Sequence, residues 1–274
     1  MPLRRHIRIA LVSAQCAMLV SAKSANSQSP MESHAKVALM AEESTMPSGK
    51  PLWIGILFHL DEGWHIYWRN AGDSGEPPKV EWELPPGFAA GPIRWPQPVR
   101  LGGGSIVDYG YEGEVLLMAP IDGPPGSEAI SIPSISADVK YIVCRAICVP
   151  GKAHLTLSIP QTSDISQRRT IFGRARTQLP KSAPASWRIS AESDKDHFIL
   201  FVRTNSQVQS ATFLPITPGE IENSAAQGFV STGSGFRLTL QKSSQLTKSI
   251  SVLRGLAVLG PGRAVEVAAP VLSR

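Results

Sequence analysis

Residues 51–68, PLWIGILFHLDEGWHIYW, restrict the fold more than any other stretch of the chain. Leu52, Ile54, Ile56, Phe58 and Leu60 alternate with Trp53, Gly55, Leu57 and His59, and a period of two is the mark of a strand. Asp61-Glu62-Gly63 supplies a turn, and residues 65–68 begin the returning strand. Shorter strands are expected at 35–43, 114–121 and 153–160, with one or two more within 128–144, and 79–88 (KVEWELPPGF) reads as a short strand and a turn. The 23 glycines and 23 prolines punctuate these segments and disfavour long helices. Residues 70–78 (NAGDSGEPP) read as a loop. Residues 91–105 (GPIRWPQPVRLGGGS) read as irregular chain, bent or mobile at Gly102-Gly103-Gly104. About seven short strands with turn chemistry between them predict an all-β fold, an immunoglobulin-like β-sandwich.

The pattern changes after Pro160. Residues 163–180 read as a helix capped by Ser163 or Asp164, with Ile171, Ala175 and Leu179 on one face and Pro180 as its stop. Strand patterns return at Trp187. The expected organisation is a signal peptide at 1–27, the sandwich at 28–162, a short helical linker at 163–184 and a second, smaller β domain at 185–274.

The first 27 residues carry Arg4, Arg5, Arg8 and Lys23 and no acidic residue. An apolar run at 9–22 follows, then small residues with Ala25 and Ser27 placed for cleavage. This predicts export through a cleaved signal peptide, with Cys16 removed and a periplasmic destination. Gln15 is too large to precede a lipidated cysteine. The formal net charge of +5 falls to +1 without the leader, which removes the electrostatic case for nucleic acid or an anionic membrane. No second apolar run has membrane length, so a soluble mature chain is expected. No phosphate loop, Ser–His–Asp signature or carboxylate pair suggests hydrolysis.

Export leaves two cysteines, Cys144 and Cys148, in an oxidising compartment. In ADVKYIVC, Ala137, Val139, Tyr141 and Val143 share one face, while Asp138, Lys140, Ile142 and Cys144 share the other. Cys144 therefore ends a strand, residues 145–147 turn the chain, and Cys148 starts the way back. Facing Cα atoms of such a hairpin sit about 5.5 Å apart, within disulfide reach. So small a loop removes little entropy from the unfolded chain, so the bond is a poor staple. A disulfide in a turn is also readily reduced, and Arg145 favours a thiolate at its neighbour. Three readings fit this chemistry: a local staple in a non-catalytic β-sandwich adaptor, a redox switch in a thiol–disulfide exchange protein, or a metal clip in a copper-binding or copper-tolerance protein, in which Cu(I) binds Cys144, Cys148 and His154. A zinc site would have to recruit scattered histidines such as His65 and His154.

The segments GWHIYWRNAGDSGEPP (63–78), WELPPGF (82–88), GPIRWPQPVR (91–100), DYGYEGEVLL (108–117) and VKYIVCRAICVPG (139–151) together carry a family resemblance. The chain resembles the N-terminal periplasmic domain of the thiol:disulfide interchange protein DsbD, in its ScsB-like branch. That resemblance implies an immunoglobulin-like sandwich whose cysteine pair, here Cys144 and Cys148, takes electrons from a membrane-embedded partner and passes them to periplasmic thioredoxin-fold proteins. It implies a cap over the disulfide from DYGYEGE, with Asp108, Tyr109 and Tyr111 as the shield. His65 and Tyr67 match a segment that packs near the cysteines. No cofactor is implied. The spacing of three residues between the cysteines is tighter than in DsbD itself. The chain ends at Arg274 without the family's membrane segments, so a stand-alone copy with its electron donor supplied in trans is expected.

Overall fold

A computed structural model describes residues 33–46, 48–124, 134–159 and 164–273. The expected signal peptide and Cys16 lie outside the described residues. The chain runs through β1 (Ala35–Ala41), β2 (Leu52–Leu60), β3 (His65–Gly72), β4 (Lys79–Glu83), β5 (Ala89–Ala90), β6 (Val99–Gly103), β7 (Ile106–Glu112), β8 (Glu114–Asp122), β9 (Ser134–Cys144) and β10 (Cys148–Ser158). One helix follows, α1 (Ile165–Thr177). Then come β11 (Lys181–Ser182), β12 (Arg188–Ser193), β13 (His197–Arg203), β14 (Thr212–Pro215), β15 (Gly228–Ser231), β16 (Gly235–Gln241), β17 (Val252–Val258) and β18 (Ala264–Ser273).

The first ten strands form an immunoglobulin-like sandwich. One sheet has the order β1-β2-β8-β5, and the other has β10-β9-β3-β7-β6 with β4 against β9. The expected alternation selects the inner faces. Ile56 and Phe58 of β2 meet Ile66 and Trp68 of β3 and Ala137, Val139, Tyr141 and Val143 of β9 in one apolar cluster. The opposite face of β2 is covered as well, which is why the strand reads as an almost unbroken apolar run. There Leu57 packs with Leu116, Met118, Phe172 and Ala175 beneath α1. Gly55 leaves room for the helix: a Cβ at that position would lie 2.6 Å from Leu116 and 3.0 Å from Phe172.

Asp164 caps α1 by accepting a hydrogen bond from the Ser166 amide at 2.7 Å. Its buried face centres on Phe172 and Ala175, with Ile171 at the margin and Leu179 packing just beyond the helix end at Thr177. Arg169 and Arg176 pair with Glu43 and Glu42 beyond β1, fastening the helix to the sandwich.

The irregular stretch expected at 91–105 contains a hairpin. β6 pairs with β7, from Val99↔Gly110 to Gly103↔Ile106. Gly102 and Gly104 take φ values of +77° and +71°, so the glycine run makes the tight turn of that hairpin.

The later strands form an eight-stranded sheet, ordered β14-β17-β18-β12-β13-β16-β15 with β11 beside β18. It closes over its own cluster, built around Phe198, Leu200, Phe213, Phe236, Leu238 and Leu253. Residues 181–182, expected as linker, pair in parallel with Val265 and Glu266. Leu214, Leu256 and Ala264 join the sandwich core, and Ser33–Arg274 forms one compact unit.

Candidate functional site

The β9–β10 hairpin carries the cysteines at its tip. Cys148 faces Cys144 in the ladder, which continues in register to Ser158↔Ser134. The two form a disulfide with Cα atoms 4.1 Å apart. This is closer than the 5.5 Å of a hydrogen-bonded pair and nearer the spacing of a non-hydrogen-bonded one, about 4.5 Å. The Arg145 amide donates to the Ile147 carbonyl at 3.0 Å and closes the turn. Arg145 extends over the turn at Gly63, where a Cβ would lie 3.2 Å from its Nε.

The two sulfurs have unlike surroundings. Cys144 is 2% exposed and packs in a small cluster with Tyr67, Ala71 and Ile142. Cys148 is exposed, beside the exposed Ile147. The Tyr67 hydroxyl lies 3.8 Å from Cys148 Sγ. A disulfide sulfur bears no hydrogen, so Tyr67 is the donor. Burial pushes the Tyr67 hydroxyl above its ordinary pKa, which keeps that proton in place.

His65 faces Cys144 across the β3–β9 ladder, and its ring meets Tyr67 edge to face at 5.2 Å. Its Nε2 is buried and has no hydrogen-bond partner among the described residues. Burial lowers the His65 pKa, partly opposed by Asp108 and Glu112, so the imidazole is held neutral.

The segment after β3 closes the site. Gly75, at φ +69°, lies so close to Tyr67 that a Cβ would meet the ring at 2.1 Å. The Ser74 amide and hydroxyl donate to the two oxygens of Asp108, at 2.8 and 2.7 Å. Asp73 Oδ2 accepts from the Val107 amide at 2.7 Å. Residues 73–75 therefore form the cap that holds Tyr67 on the disulfide.

This differs from the shield expected at 108–111. β3 and β7 pair with His65↔Glu112, Ile66↔Tyr111 and Tyr67↔Gly110. Side chains alternate across a sheet, so Tyr109 and Tyr111 lie on the face of Ile66 and Trp68, away from the cysteines. Both are buried in the sandwich core. Tyr109 donates to Asn223 Oδ1 at 2.9 Å, and Tyr111 donates to the Pro96 carbonyl at 2.8 Å. Burial raises the pKa of both hydroxyls, which stay protonated. Of the expected shield, only Asp108 reaches the disulfide side, and it acts by anchoring Ser74.

The Cu(I) set proposed from sequence is not brought together. His154 pairs with Asp138, six residues along β10 from Cys148. That separation is about 20 Å at roughly 3.3 Å per residue. Among the described residues, Glu83, Asp138 and His154 have ligand-type atoms within 4.8 Å of one another. The group lies on the surface of the sheet, where carboxylates commonly stand without a metal.

Sequence reasoning missed Asn70, Asp73, Ser74, Gly75 and Asn223. The run DSG signals a turn, but nothing local shows that the turn covers Tyr67. Asn223 carries no signal at all, because its contacts lie 114 and 150 residues away.

Residues 36–160 match the family model described as thiol:disulfide interchange protein DsbD, N-terminal. The crystal structure of the N-terminal periplasmic domain of ScsB from Proteus mirabilis is similar, with a TM-score of 0.66 at 17% identity. The alignment covers 87% of this chain and 94% of that one, and it shows a shared fold. The periplasmic chaperone SfaE and the chaperone YadV align at 10% identity with TM-scores of 0.22 and 0.20, covering 87% and 85% of this chain and 100% and 98% of theirs. No relative matches among curated proteins. Among the described residues no helix is long and apolar enough to cross a membrane.

Proposed function

Residues 36–160 belong to the family of the DsbD N-terminal domain, and from that premise we propose that the chain is a periplasmic thiol–disulfide exchange protein. It acts as an electron relay of the protein-disulfide reductase type. The relay cycles Cys144–Cys148 between a membrane-embedded donor and a thioredoxin-fold protein. A periplasmic location is supported by the expected leader and by the location of the similar ScsB domain.

One observation carries this reading: Cys148 is open while Cys144 is buried behind Tyr67 and Ala71. A thiolate of the electron donor attacks the exposed sulfur, Cys148 Sγ. The Cys144–Cys148 bond breaks, its electron pair leaves on Cys144 Sγ, and a mixed disulfide joins the donor to Cys148. The donor's second thiolate then attacks the donor's first sulfur in that mixed disulfide, and the electron pair of the broken bond leaves on Cys148 Sγ. The donor dithiol is oxidised to a disulfide, and Cys144 and Cys148 become thiols by taking up two protons. The reverse sequence hands the two electrons to a thioredoxin-fold disulfide.

His65 and Tyr67 support these steps. Cys144 is buried, and the neutral imidazole opposite it serves the proton transfer. The Tyr67 hydroxyl favours Cys148 as a leaving thiolate by donating to its sulfur.

The test is the reduction potential of the purified mature chain in graded glutathione buffers. A value above roughly −250 mV places the bond among exchangeable couples. A value below about −300 mV marks a bond that the glutathione pool cannot reduce, and it would sink the relay.

A further inference from the structure

The segment that touches Cys144 and Tyr67 is fastened from outside the sandwich. Asn70 is 1% exposed. Its Nδ2 donates to the Pro215 carbonyl on β14 at 2.8 Å, while its Oδ1 accepts from the Gly72 amide at 3.0 Å. Asn223 is also buried. Its Nδ2 donates to Asp73 Oδ1 at 2.7 Å, and its Oδ1 accepts from the Tyr109 hydroxyl at 2.9 Å. Its backbone carbonyl accepts from Arg100 at 3.0 Å. Between these two asparagine anchors lies Ala71, which packs on Cys144. Just beyond them lies Gly75, which packs on Tyr67.

A boundary meant only to bury surface has no need of these groups. Apolar side chains of similar shape would serve as well, and a buried amide that loses one partner costs the full desolvation of what remains. A fully partnered polar network instead selects one discrete arrangement of the chain. Both carboxylate oxygens of Asp73 are used, one by Asn223 and one by the Val107 amide.

We propose that the second β body is a clamp on the redox site, with Asn223 and Asn70 as positioning residues that keep Cys144 covered and leave Cys148 as the single accessible sulfur. The inference rests on the exchange reading above and gives the second body a role in it. When the clamp is engaged, incoming thiolates meet Cys148. When Asp73 is released, residues 71–75 lift and Cys144 becomes reactive.

The experiment is a pulse of iodoacetamide on the reduced mature chain, with labelling of each cysteine read by mass spectrometry. The native chain labels at Cys148 and is protected at Cys144. Asn223→Asp sets a carboxylate against Asp73, and Asn223→Ala removes the bond without a charge. Each raises the Cys144 share about tenfold, the effect of losing one buried hydrogen bond on a local opening. The double variant N223D/D73N restores protection. The new amide keeps its oxygen for Val107 N–H and donates to the new carboxylate, which still accepts from Tyr109. A merely structural contact would lower the melting temperature without redirecting the label. Equal labelling of the two cysteines in the native chain overturns the clamp. So does an unchanged Cys144 share in N223A or N223D, and so does a double variant that stays unprotected. No partner protein enters the assay. A chain that redirects its label yet has a disulfide the glutathione pool cannot reduce retains the clamp and loses the exchange function.

Discussion

All four tyrosines of the chain lie in the first β body; the second builds its core from phenylalanine. Both bodies close sheets over apolar clusters of similar make-up. The difference is what the aromatic residues must satisfy. A buried phenol requires a hydrogen-bond partner. Tyr67 finds Cys148, Tyr111 finds a backbone carbonyl, and Tyr109 finds Asn223 of the second body. Phe198, Phe213 and Phe236 ask for nothing but volume. The first body thus combines fold and site in one sheet: the inner face of β3 builds the core, and the outer face holds the disulfide. The second body is free of that double duty, and its polar contribution falls at the boundary.

The sharpest break between the regions is chemical. Cys148→Ser abolishes exchange with a thioredoxin-fold partner, whereas Cys144→Ser leaves the attacked sulfur in place and traps a mixed disulfide. Non-reducing electrophoresis with mass mapping distinguishes the two variants. A trap formed equally well by Cys148→Ser would reverse the assignment.

The next effect tests whether the bodies are energetically separate. Phe58→Ala and Phe213→Ala each remove a fully buried ring and are expected to cost about 3–5 kcal/mol. Because Leu214, Leu256 and Ala264 extend the first core, both variants should move one common urea transition. Two transitions that shift independently would show that the shared core is weak.

A smaller effect is confined to the cap. Gly75→Ala forces a side chain into the Tyr67 ring at a positive φ, at a cost of about 1–3 kcal/mol. It should also speed reduction of the disulfide by dithiothreitol, because Tyr67 is displaced. The matched change Gly233→Ala, on an open turn of the second body at φ +74°, should lower stability without altering that rate.

The smallest effect is a pH dependence. Burial lowers the His65 pKa below its ordinary value of 6.5. The unfolded chain therefore binds the proton first as pH falls, and stability rises with pH across this window. The contribution is complete above about pH 6.5 and is lost as pH drops through the lowered folded-state value. Melting curves from pH 7.5 to 4.5 should show this slope, flattened in His65→Gln. An unaltered slope would place the titration elsewhere.

Much of this was legible in the sequence. The alternation at 52–60, the Asp164 cap and the facing of Ala137, Val139, Tyr141 and Val143 are local patterns, set by backbone periodicity and by side chains bonding to nearby amides. The cysteine pairing was legible for the same reason, since four residues and a tight turn leave few geometries. What the tertiary structure decided is which side of each pattern is used. Alternation places Tyr109 and Tyr111 on one face of β7, but the register of β3 against β7 turns that face into the core. Six residues of β10, about 20 Å, separate Cys148 from His154 although both lie on one face. The cap is Asp73-Ser74-Gly75 because Asp108, Val107 and Asn223, distant in the chain, converge on it. Such contacts depend on how sheets stack and on where a second body docks, and no local preference encodes either.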